Sequence, residues 1–129
     1  MTILLDTSVI VDVLRQRRRR HELLAGWLRQ GHVLACCAIN FAEVHAGMRQ
    51  GEEQMTARLL NGLDYFEFGP GAARRAGDLV RDWRRRGRTL SLPDAMIGAL
   101  VLEHDFALAT DNKKDFPMPD LRFAPLLGA

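Results

Sequence analysis

The first twelve residues constrain the fold most, because they join a short apolar run to an acid and then to a helical pattern. Residues 3–5 are all large and apolar, as in a strand that is buried on both faces of a parallel sheet. Asp6 follows directly, and either Thr7 or Ser8 can cap a helix. In open parallel sheets, ligands bind just beyond the carboxyl ends of the strands. The pattern therefore places Asp6 where a site is expected.

Strand and helix patterns alternate along the rest of the chain. Apolar periodicity predicts helices over residues 9–14, 21–30, 41–49, 52–63, 72–86 and 93–104, and strands over residues 33–38, 65–68, 106–109 and 121–124. Residues 95–102 are apolar nearly all round, which predicts a buried helix. The alternation predicts an α/β fold with a central, mostly parallel five-stranded sheet covered by helices.

Length and composition indicate an ordinary soluble protein. The chain has 129 residues, of which 47% are hydrophobic and 26% charged, and we expect one domain over residues 1–129. It has no apolar run near the ~18 residues that span a bilayer, and its N-terminus lacks a signal-peptide pattern. Cys36 and Cys37 are adjacent and cannot easily pair with each other, so we expect a reducing, cytoplasmic location.

Acidic residues stand at predicted strand ends and helix starts. Asp6 follows the first strand, Glu43 lies early in the helix after the second, and Asp94 begins the buried helix. Asp111 and Asp115 lie in the polar loop after the fourth strand. If the sheet is parallel, the strand ends share one edge, so these side chains would converge.

Each acid also has a structural explanation when it is taken alone. Asn40 and Glu43 fit a capping box, and an acid at the position of Asp94 interacts favourably with the helix dipole. Polar loops favour residues such as Asp111 and Asp115 in any case.

Taken together, the acids predict a metal site. Two like charges ~4 Å apart repel by about 4 kcal/mol at an effective dielectric near 20, so a cluster of carboxylates needs a compensating cation. Ligand sets made only of oxygen favour Mg²⁺ or Mn²⁺ over zinc. Such ions bind phosphates and activate water, which suggests chemistry on a phosphodiester.

Positive charge is concentrated in two arginine clusters, although the net charge is only +2. The first comprises Arg15, Arg17, Arg18, Arg19 and Arg20, and the second Arg81, Arg84, Arg85, Arg86 and Arg88. Arginine favours bidentate contact with phosphate, so either cluster can bind a nucleic-acid backbone or can simply be a solvated basic surface. The four histidines share no motif, and we expect them to be structural or exposed.

The motifs resemble those of PIN-domain ribonucleases, in particular the VapC toxins of VapBC toxin–antitoxin pairs. The similar segments are residues 4–12 (LLDTSVIVD), the helix that carries Glu43, residues 92–98 (LPDAMIG) and residues 108–116 (LATDNKKDF). They occur in the family's order, and the resemblance covers essentially the whole chain.

The resemblance implies a three-layer α/β/α sandwich and Mg²⁺-dependent (or Mn²⁺-dependent) endonucleolytic cleavage of RNA. It identifies Asp6, Glu43 and Asp94 as metal-site acids, and Thr110 as the hydroxyl residue before a fourth acidic position. We hypothesise direct attack of metal-activated water on the phosphodiester, which leaves 5′-phosphate and 3′-hydroxyl ends.

The fourth acidic position departs from the commonest family pattern, because Asn112 stands where many PIN domains have Asp. VapC-like members often have Asn there and an acid three residues later. This favours Asp115 as the fourth acid, with Asp111 as the alternative. Ser8, Thr110 and Asn112 are expected to help position phosphate or water.

The resemblance also implies partners. Family members usually dimerise and are inhibited by a VapB-like antitoxin, which contacts operator DNA for the complex. The RNA substrate is expected to contact a basic set of residues, namely Arg84, Arg85, Arg86, Arg88, Lys113 and Lys114. No membrane partner is expected.

Two other classes of function are considered. One is a non-catalytic PIN-like module that binds RNA or protein. The complete set of acids argues against this function. The other is a phosphoacceptor receiver domain, which needs an Asp after its third strand. The third strand here runs into Phe68, Gly69 and Pro70, so that reading fails.

Overall fold

The computed structural model describes residues 1–126 and contains five strands, six α-helices and one 3₁₀ turn. The strands are β1 (Thr2–Leu5), β2 (Val33–Cys37), β3 (Asp64–Phe66), β4 (Ala107–Ala109) and β5 (Arg122–Phe123). The helices are α1 (Thr7–Leu14), α2 (Arg20–Arg29), α3 (Ala38–Ala46), α4 (Glu53–Asn61), α5 (Pro70–Arg85) and α6 (Leu92–His104), and the 3₁₀ turn is Lys113–Asp115.

The five strands form one sheet in the order β3-β2-β1-β4-β5, and every neighbouring pair is parallel. The first strand of the chain is therefore the central one. Its residue Leu4 pairs with Ala35 of β2 on one side and with Leu108 of β4 on the other. The predicted parallel five-stranded sheet is confirmed, and β1 is buried on both faces because helices cover both.

Two apolar clusters lie on opposite faces of the sheet, because successive strand residues point to opposite sides. Leu4 packs with residues of α5 and α6, whereas Ile3 and Leu5 pack with residues of α1, α2 and α4. Burial of one such large side chain stabilises the fold by about 1.5–3 kcal/mol. The sheet is thus the middle layer of a three-layer α/β/α sandwich, as the family resemblance implies.

The α6 helix is the most deeply buried of the six helices. The apolar side chains from Ile97 to Val101 are at most 1% exposed. This burial matches the nearly uninterrupted apolar sequence of the helix. Ser91 caps this helix, because its hydroxyl accepts the N–H of Asp94 at 3.2 Å, and Pro93 lies in the first turn.

Two predictions about helix starts are wrong. The α3 helix begins at Ala38 rather than near residue 41, because Cys37 and Asn40 cap it reciprocally, and the Asn40 Oδ1 accepts the Cys37 N–H at 2.8 Å. Glu43 is therefore not the acid of a capping box. The α1 helix is capped by Asp6 itself, not by Thr7 or Ser8. Among residues 1–126, we find no helix that is both long and apolar enough to cross a bilayer.

Candidate functional site

Asp6 lies at the carboxyl end of the central strand, between the ends of β2 and β4. Its N–H donates to the carbonyl of Ala109 at 2.8 Å, which extends the β1–β4 pairing by one residue. One carboxylate oxygen accepts the Thr7 N–H at 2.9 Å, and the other accepts the Thr110 hydroxyl at 2.6 Å. The side chain is thus held in place by groups from two chain segments, and Asp6 is only 7% exposed.

Glu43 approaches Asp6 from α3. Its carboxylate accepts the Thr7 hydroxyl at 2.6 Å, and that hydroxyl oxygen in turn accepts a hydrogen bond from the Asn40 side-chain amide at 3.1 Å. The same Asn40 amide donates to the carbonyl of Leu5 at 3.0 Å. Asn40 is fully buried, so these bonds fix the start of α3 against the end of β1 and bring the two acids together.

Asp94 approaches from the first turn of α6, and its side chain is half-buried. Burial raises the pKa of Asp94, and the charges of Asp115 and Glu43 raise it further, while the Ser91 hydroxyl lowers it. Burial also raises the pKa of Asp6; hydrogen bonds from Thr110 and Thr7 oppose this, and the charges of Asp94 and Glu43 add to it. Asp6, Glu43, Asp94 and Asp115 thus influence one another electrostatically.

The two candidates for the fourth acid occupy different surroundings. Asp111 is engaged by arginines: its Oδ1 lies 2.5 Å from Arg20 Nη2 and 3.2 Å from Arg18 Nη1. Asp115 ends the 3₁₀ turn, is exposed, and acts on the pKa of Asp94. Asp115 is therefore close enough to Asp94 for its charge to act there, whereas Asp111 forms part of an internal ion-pair cluster.

The predicted supporting residues surround Asp6. Thr110 is 2% exposed, and besides donating to Asp6 its hydroxyl accepts the Asn112 N–H at 3.0 Å. The Ser8 hydroxyl is buried and finds no hydrogen-bond partner among residues 1–126. A buried hydroxyl without a partner is costly, and next to an acidic site it is available to a bound water or phosphate.

The acids do not form a ready-made metal cage. Within the part of the chain that the structure describes, no three His, Cys, Asp or Glu side chains stand close enough to hold one ion. Mutual repulsion of carboxylates explains this separation, and Glu43 is turned to the Thr7 hydroxyl. The side chains still fit a hard divalent cation, because all of their donor atoms are oxygen. Neighbouring negative charge also contributes to the raised pKa of Asp6 and of Asp94, and a bound cation would offset that charge.

The basic residues expected to contact RNA fall into two groups. Arg88 donates to the carbonyl of Lys114, so Arg88, Lys113 and Lys114 lie at the loop that carries Asp115. The other three lie at the C-terminal end of α5, where Arg84 is exposed, Arg85 pairs with Asp82 at 3.7 Å, and Arg86 stacks over Trp83 at 4.7 Å.

The first arginine cluster is not simply a basic surface, because four of its five members, Arg15, Arg18, Arg19 and Arg20, form ion pairs within the chain. Arg20 is 1% exposed and pairs with Asp111, and Arg15 donates to Glu52 and to the carbonyl of Gly47. The sequence reasoning also missed the roles of Thr7, Asn40 and Ser91. The signal that could have found Thr7 is its position directly after Asp6, but a hydroxyl there is equally typical of a cap.

An apolar groove of about 640 Å³ lies between α1, α2 and α4, on the opposite face of the sheet from α5 and α6. It is lined by apolar side chains, and its lining residues Leu28, Met55 and Val33 are 57%, 45% and 38% exposed. Large apolar side chains grouped on a surface commonly mark a protein-binding site.

Comparison with known proteins places these features in context. The family model of the PIN domain matches residues 3–119. Ribonuclease VapC10 of Mycobacterium tuberculosis is 34% identical over 116 residues, which cover 90% of this chain and 86% of that protein.

Solved structures give the same picture of the fold. A toxin–antitoxin complex from Klebsiella pneumoniae is similar with a TM-score of 0.75 and 28% identity, covering 92% of both chains. The VapBC2 complex from Rickettsia felis, bound to a DNA fragment from its promoter, is similar in fold with a TM-score of 0.81. Its identity is 21%, and the match covers 96% of this chain and 98% of that one.

Proposed function

The chain belongs to the PIN-domain family, and from that premise we propose that it is the toxin of a toxin–antitoxin pair and an endoribonuclease dependent on Mg²⁺ or Mn²⁺. In this proposal, residues 1–129 form a single PIN domain that hydrolyses RNA phosphodiester bonds. Similarity to a named ribonuclease and to toxin–antitoxin complexes supports the assignment.

The arrangement around Asp6 is the observation that carries the proposal. A buried carboxylate, held at the end of the central strand by Thr7 and Thr110, faces the charges of Glu43 and Asp94. A structural acid at a strand end needs no further acids around it. Neighbouring acids whose charges raise the pKa of a buried carboxyl group, as Glu43 and Asp94 do for Asp6, are typical of sites that hold a cation.

The proposed roles follow from the contacts of each side chain. Asp6, Glu43, Asp94 and Asp115 hold the ion, which when bound supplies a Lewis acid and activates water for attack on phosphorus. Thr110 orients the Asp6 carboxylate through its 2.6 Å hydrogen bond.

The remaining polar groups orient the substrate in this proposal. The unpaired Ser8 hydroxyl and the exposed Asn112 side chain position phosphate or water near the acids. Lys113 and Lys114, which are exposed and precede Asp115 in the 3₁₀ turn, bind the RNA backbone. Arg84, Arg85, Arg86 and Arg88 extend this basic surface.

Cleavage of RNA with and without metal tests the proposal. Purified chain freed of antitoxin is incubated with end-labelled structured RNAs in Mn²⁺, in Mg²⁺ or in EDTA, and the ends of the products are mapped. We expect metal-dependent cleavage to 5′-phosphate and 3′-hydroxyl ends, abolished in Asp6→Asn. Asp105→Asn is the matched control, because Asp105 precedes β4 at the opposite edge of the sheet. Cleavage that survives EDTA, or that Asp6→Asn leaves intact, contradicts the proposal.

The fourth acid has its own test. We propose Asp115 rather than Asp111, because arginines already neutralise Asp111. Mn²⁺ binding is measured by isothermal titration calorimetry for wild type, for Asp115→Asn and Asp94→Asn singly, and for the double variant. If both acids hold one ion, the combined loss is smaller than the product of the single losses. Independent losses would remove Asp115 from the ion's ligands.

We also propose that the apolar groove between α1, α2 and α4 binds the antitoxin. The exposed Leu28, Val33 and Met55 would be covered by an apolar antitoxin segment, which removes them from water. The antitoxin then contacts operator DNA on behalf of the complex. Two buried free thiols, Cys36 and Cys37, suit the reducing cytoplasm in which such a pair would act.

A further inference from the structure

Arg20, the first residue of α2, is the most deeply buried charged residue among residues 1–126, with 1% exposure. Its Nη2 lies 2.5 Å from Asp111 Oδ1, and its Nε lies 3.7 Å from Asp12 Oδ2. Asp12 is itself buried on α1. One guanidinium thus connects two helices to the loop that follows β4.

Arg18 completes this ion-pair cluster of Arg18, Arg20, Asp12 and Asp111. Its Nη1 lies 3.2 Å from Asp111 Oδ1, and its Nε lies 4.0 Å from Asp12 Oδ2. The charge of the buried Arg20 is thus balanced by Asp12 and Asp111, whose second negative charge is balanced by the exposed Arg18. If Asp111 moved away, the buried guanidinium of Arg20 would lose one of its two negative partners. The ion pairs therefore hold the loop that follows β4 in place.

The backbone around Arg20 indicates that this position is enforced. Gln16, Arg18 and Arg19 each adopt a left-handed conformation with φ of 54°, which residues other than glycine seldom do. Arg19 also begins α2 without a side-chain cap. Such conformations persist where surrounding contacts hold them, and they concentrate at functional sites. Here the ion pairs of Arg18 and Arg20 supply those contacts.

The loop that Arg20 holds is the loop that completes the acidic site. Asp111 lies between Thr110, which donates to Asp6, and Asn112, whose carbonyl accepts the Asp115 N–H at 2.9 Å. Arg88 contacts the carbonyl of Lys114 further along the same loop. Fixing Asp111 therefore fixes both the partner of Asp6 and the base of the 3₁₀ turn that carries Asp115.

We propose that Arg20 is a positioning residue for the metal site, and that it acts through Asp111 on Thr110 and Asp115. This inference rests on the proposed metal-dependent function. Arg20 and Asp111 contact neither substrate nor ion; they fix the geometry of the groups that do. Loss of groups that orient metal ligands typically weakens metal affinity by about 10–100-fold.

Mn²⁺ is the probe for the test. Its dissociation constant is measured by isothermal titration calorimetry for wild type, Asp111→Asn, Arg20→Lys and the double variant. Asp111→Asn is the primary variant, because Arg20 keeps Asp12 as a partner and no buried charge is stranded. Hydrogen exchange of the Asn112 amide, which donates to Thr110, reports loop order without metal. Arg122→Gln is the matched control, since it breaks an exposed pair with Asp105.

We expect Asp111→Asn and Arg20→Lys each to weaken Mn²⁺ binding about tenfold and to accelerate exchange of the Asn112 amide. The double variant should be no weaker than the weaker single variant, because both changes break the same connection. Arg122→Gln should match wild type.

Three results would overturn the inference. One is Mn²⁺ binding within twofold of wild type in Asp111→Asn, and another is unchanged exchange of the Asn112 amide. The third is independent losses that multiply in the double variant, which would make Asp111 a ligand in its own right. If Arg20→Lys does not fold, Mn²⁺ binding and exchange of the Asn112 amide in Asp111→Asn still test the inference.

Failure of the proposed function looks different. If Asp6→Asn binds Mn²⁺ as tightly as wild type, or wild type does not bind it, the metal site itself is refuted and the inference falls with it. If Asp6→Asn loses binding while Asp111→Asn keeps it, the metal site stands and only the role of Arg20 is refuted.

Discussion

Replacing Thr110 with Val tests how the acidic site is kept ready for a cation. The two side chains have nearly the same shape, but Val lacks the hydroxyl that donates to Asp6 Oδ2 at 2.6 Å. Thr110 and Asp6 are 2% and 7% exposed, so water does not easily replace that donor. The variant therefore removes the hydrogen bond to this buried carboxylate, together with the acceptor of the Asn112 N–H, and leaves the packing almost unchanged.

The expected magnitude follows from the bond between Thr110 and Asp6, because that bond acts on a proposed metal ligand. A hydrogen bond to a charged group contributes about 1.5–3 kcal/mol, which corresponds to roughly 10- to 150-fold in an equilibrium constant. The bond favours the ionised, correctly oriented carboxylate, which is the form that binds a cation. We expect Mn²⁺ affinity at pH 7.5 to fall about tenfold, and by no more than roughly 150-fold.

Competition between protons and Mn²⁺ for Asp6 provides a second, independent test of the prediction. The Thr110 hydroxyl lowers the pKa of Asp6, so its removal raises that pKa further. Protons then compete with Mn²⁺ more effectively, and the loss of affinity should be larger at pH 5.5 than at pH 7.5.

Calorimetric titration of Mn²⁺ into wild type, Thr110→Val and Thr110→Ser at both pH values measures these effects. Ser keeps the hydroxyl, both as donor to Asp6 and as acceptor for the Asn112 N–H, and is the matched control. Equal affinities for the Val and Ser variants at both pH values would refute the reasoning about Thr110.

Further predictions concern stability and binding. Asp6→Asn should raise the melting temperature of the metal-free chain at pH 7 in calorimetry. The pKa of Asp6 is higher in the folded chain than its usual value of 3.8, so deprotonation of Asp6 lowers the free energy of unfolding as the pH rises. The stabilisation by Asp6→Asn should therefore disappear as the pH falls toward 3.8. Gly77→Ala, which faces open space, should raise the free energy of unfolding in urea by roughly 0.5–1 kcal/mol, whereas Gly98→Ala should gain less, because its Cβ would meet the Met118 Cε and that side chain would have to shift. Leu28→Asp should abolish co-purification with the antitoxin and leave RNA cleavage intact.

The fold was predictable from sequence because its strongest signals are local. Short apolar runs alternate with helical periodicity, and burial of both sheet faces makes the run at residues 3–5 continuous rather than alternating. Helix starts were less accessible. Whether Cys37 or Asn40 begins α3 depends on side-chain bonds that form only after β2 and α3 are in place.

The candidate site was predictable as a set of acids, but its internal organisation was not. Strand ends and helix starts identify Asp6, Glu43 and Asp94 from local patterns. The assignment of Asp111 to an ion-pair cluster depends on Arg20, which is 91 residues away in sequence. Nothing in a run of arginines distinguishes the one that becomes buried from its exposed neighbours, because burial is decided by tertiary packing.

The hydrogen bond between Asp6 and Thr110 also has a consequence for protein synthesis. It joins residues 104 positions apart, so the central strand is synthesised well before β4. A chain that terminates before residue 110 lacks both the partner of Asp6 and the acid at position 115. Translation that stops before residue 115 therefore yields fragments without the complete set of acids, so in the proposed function a growing chain gains its cleavage activity only after residue 115 has been added.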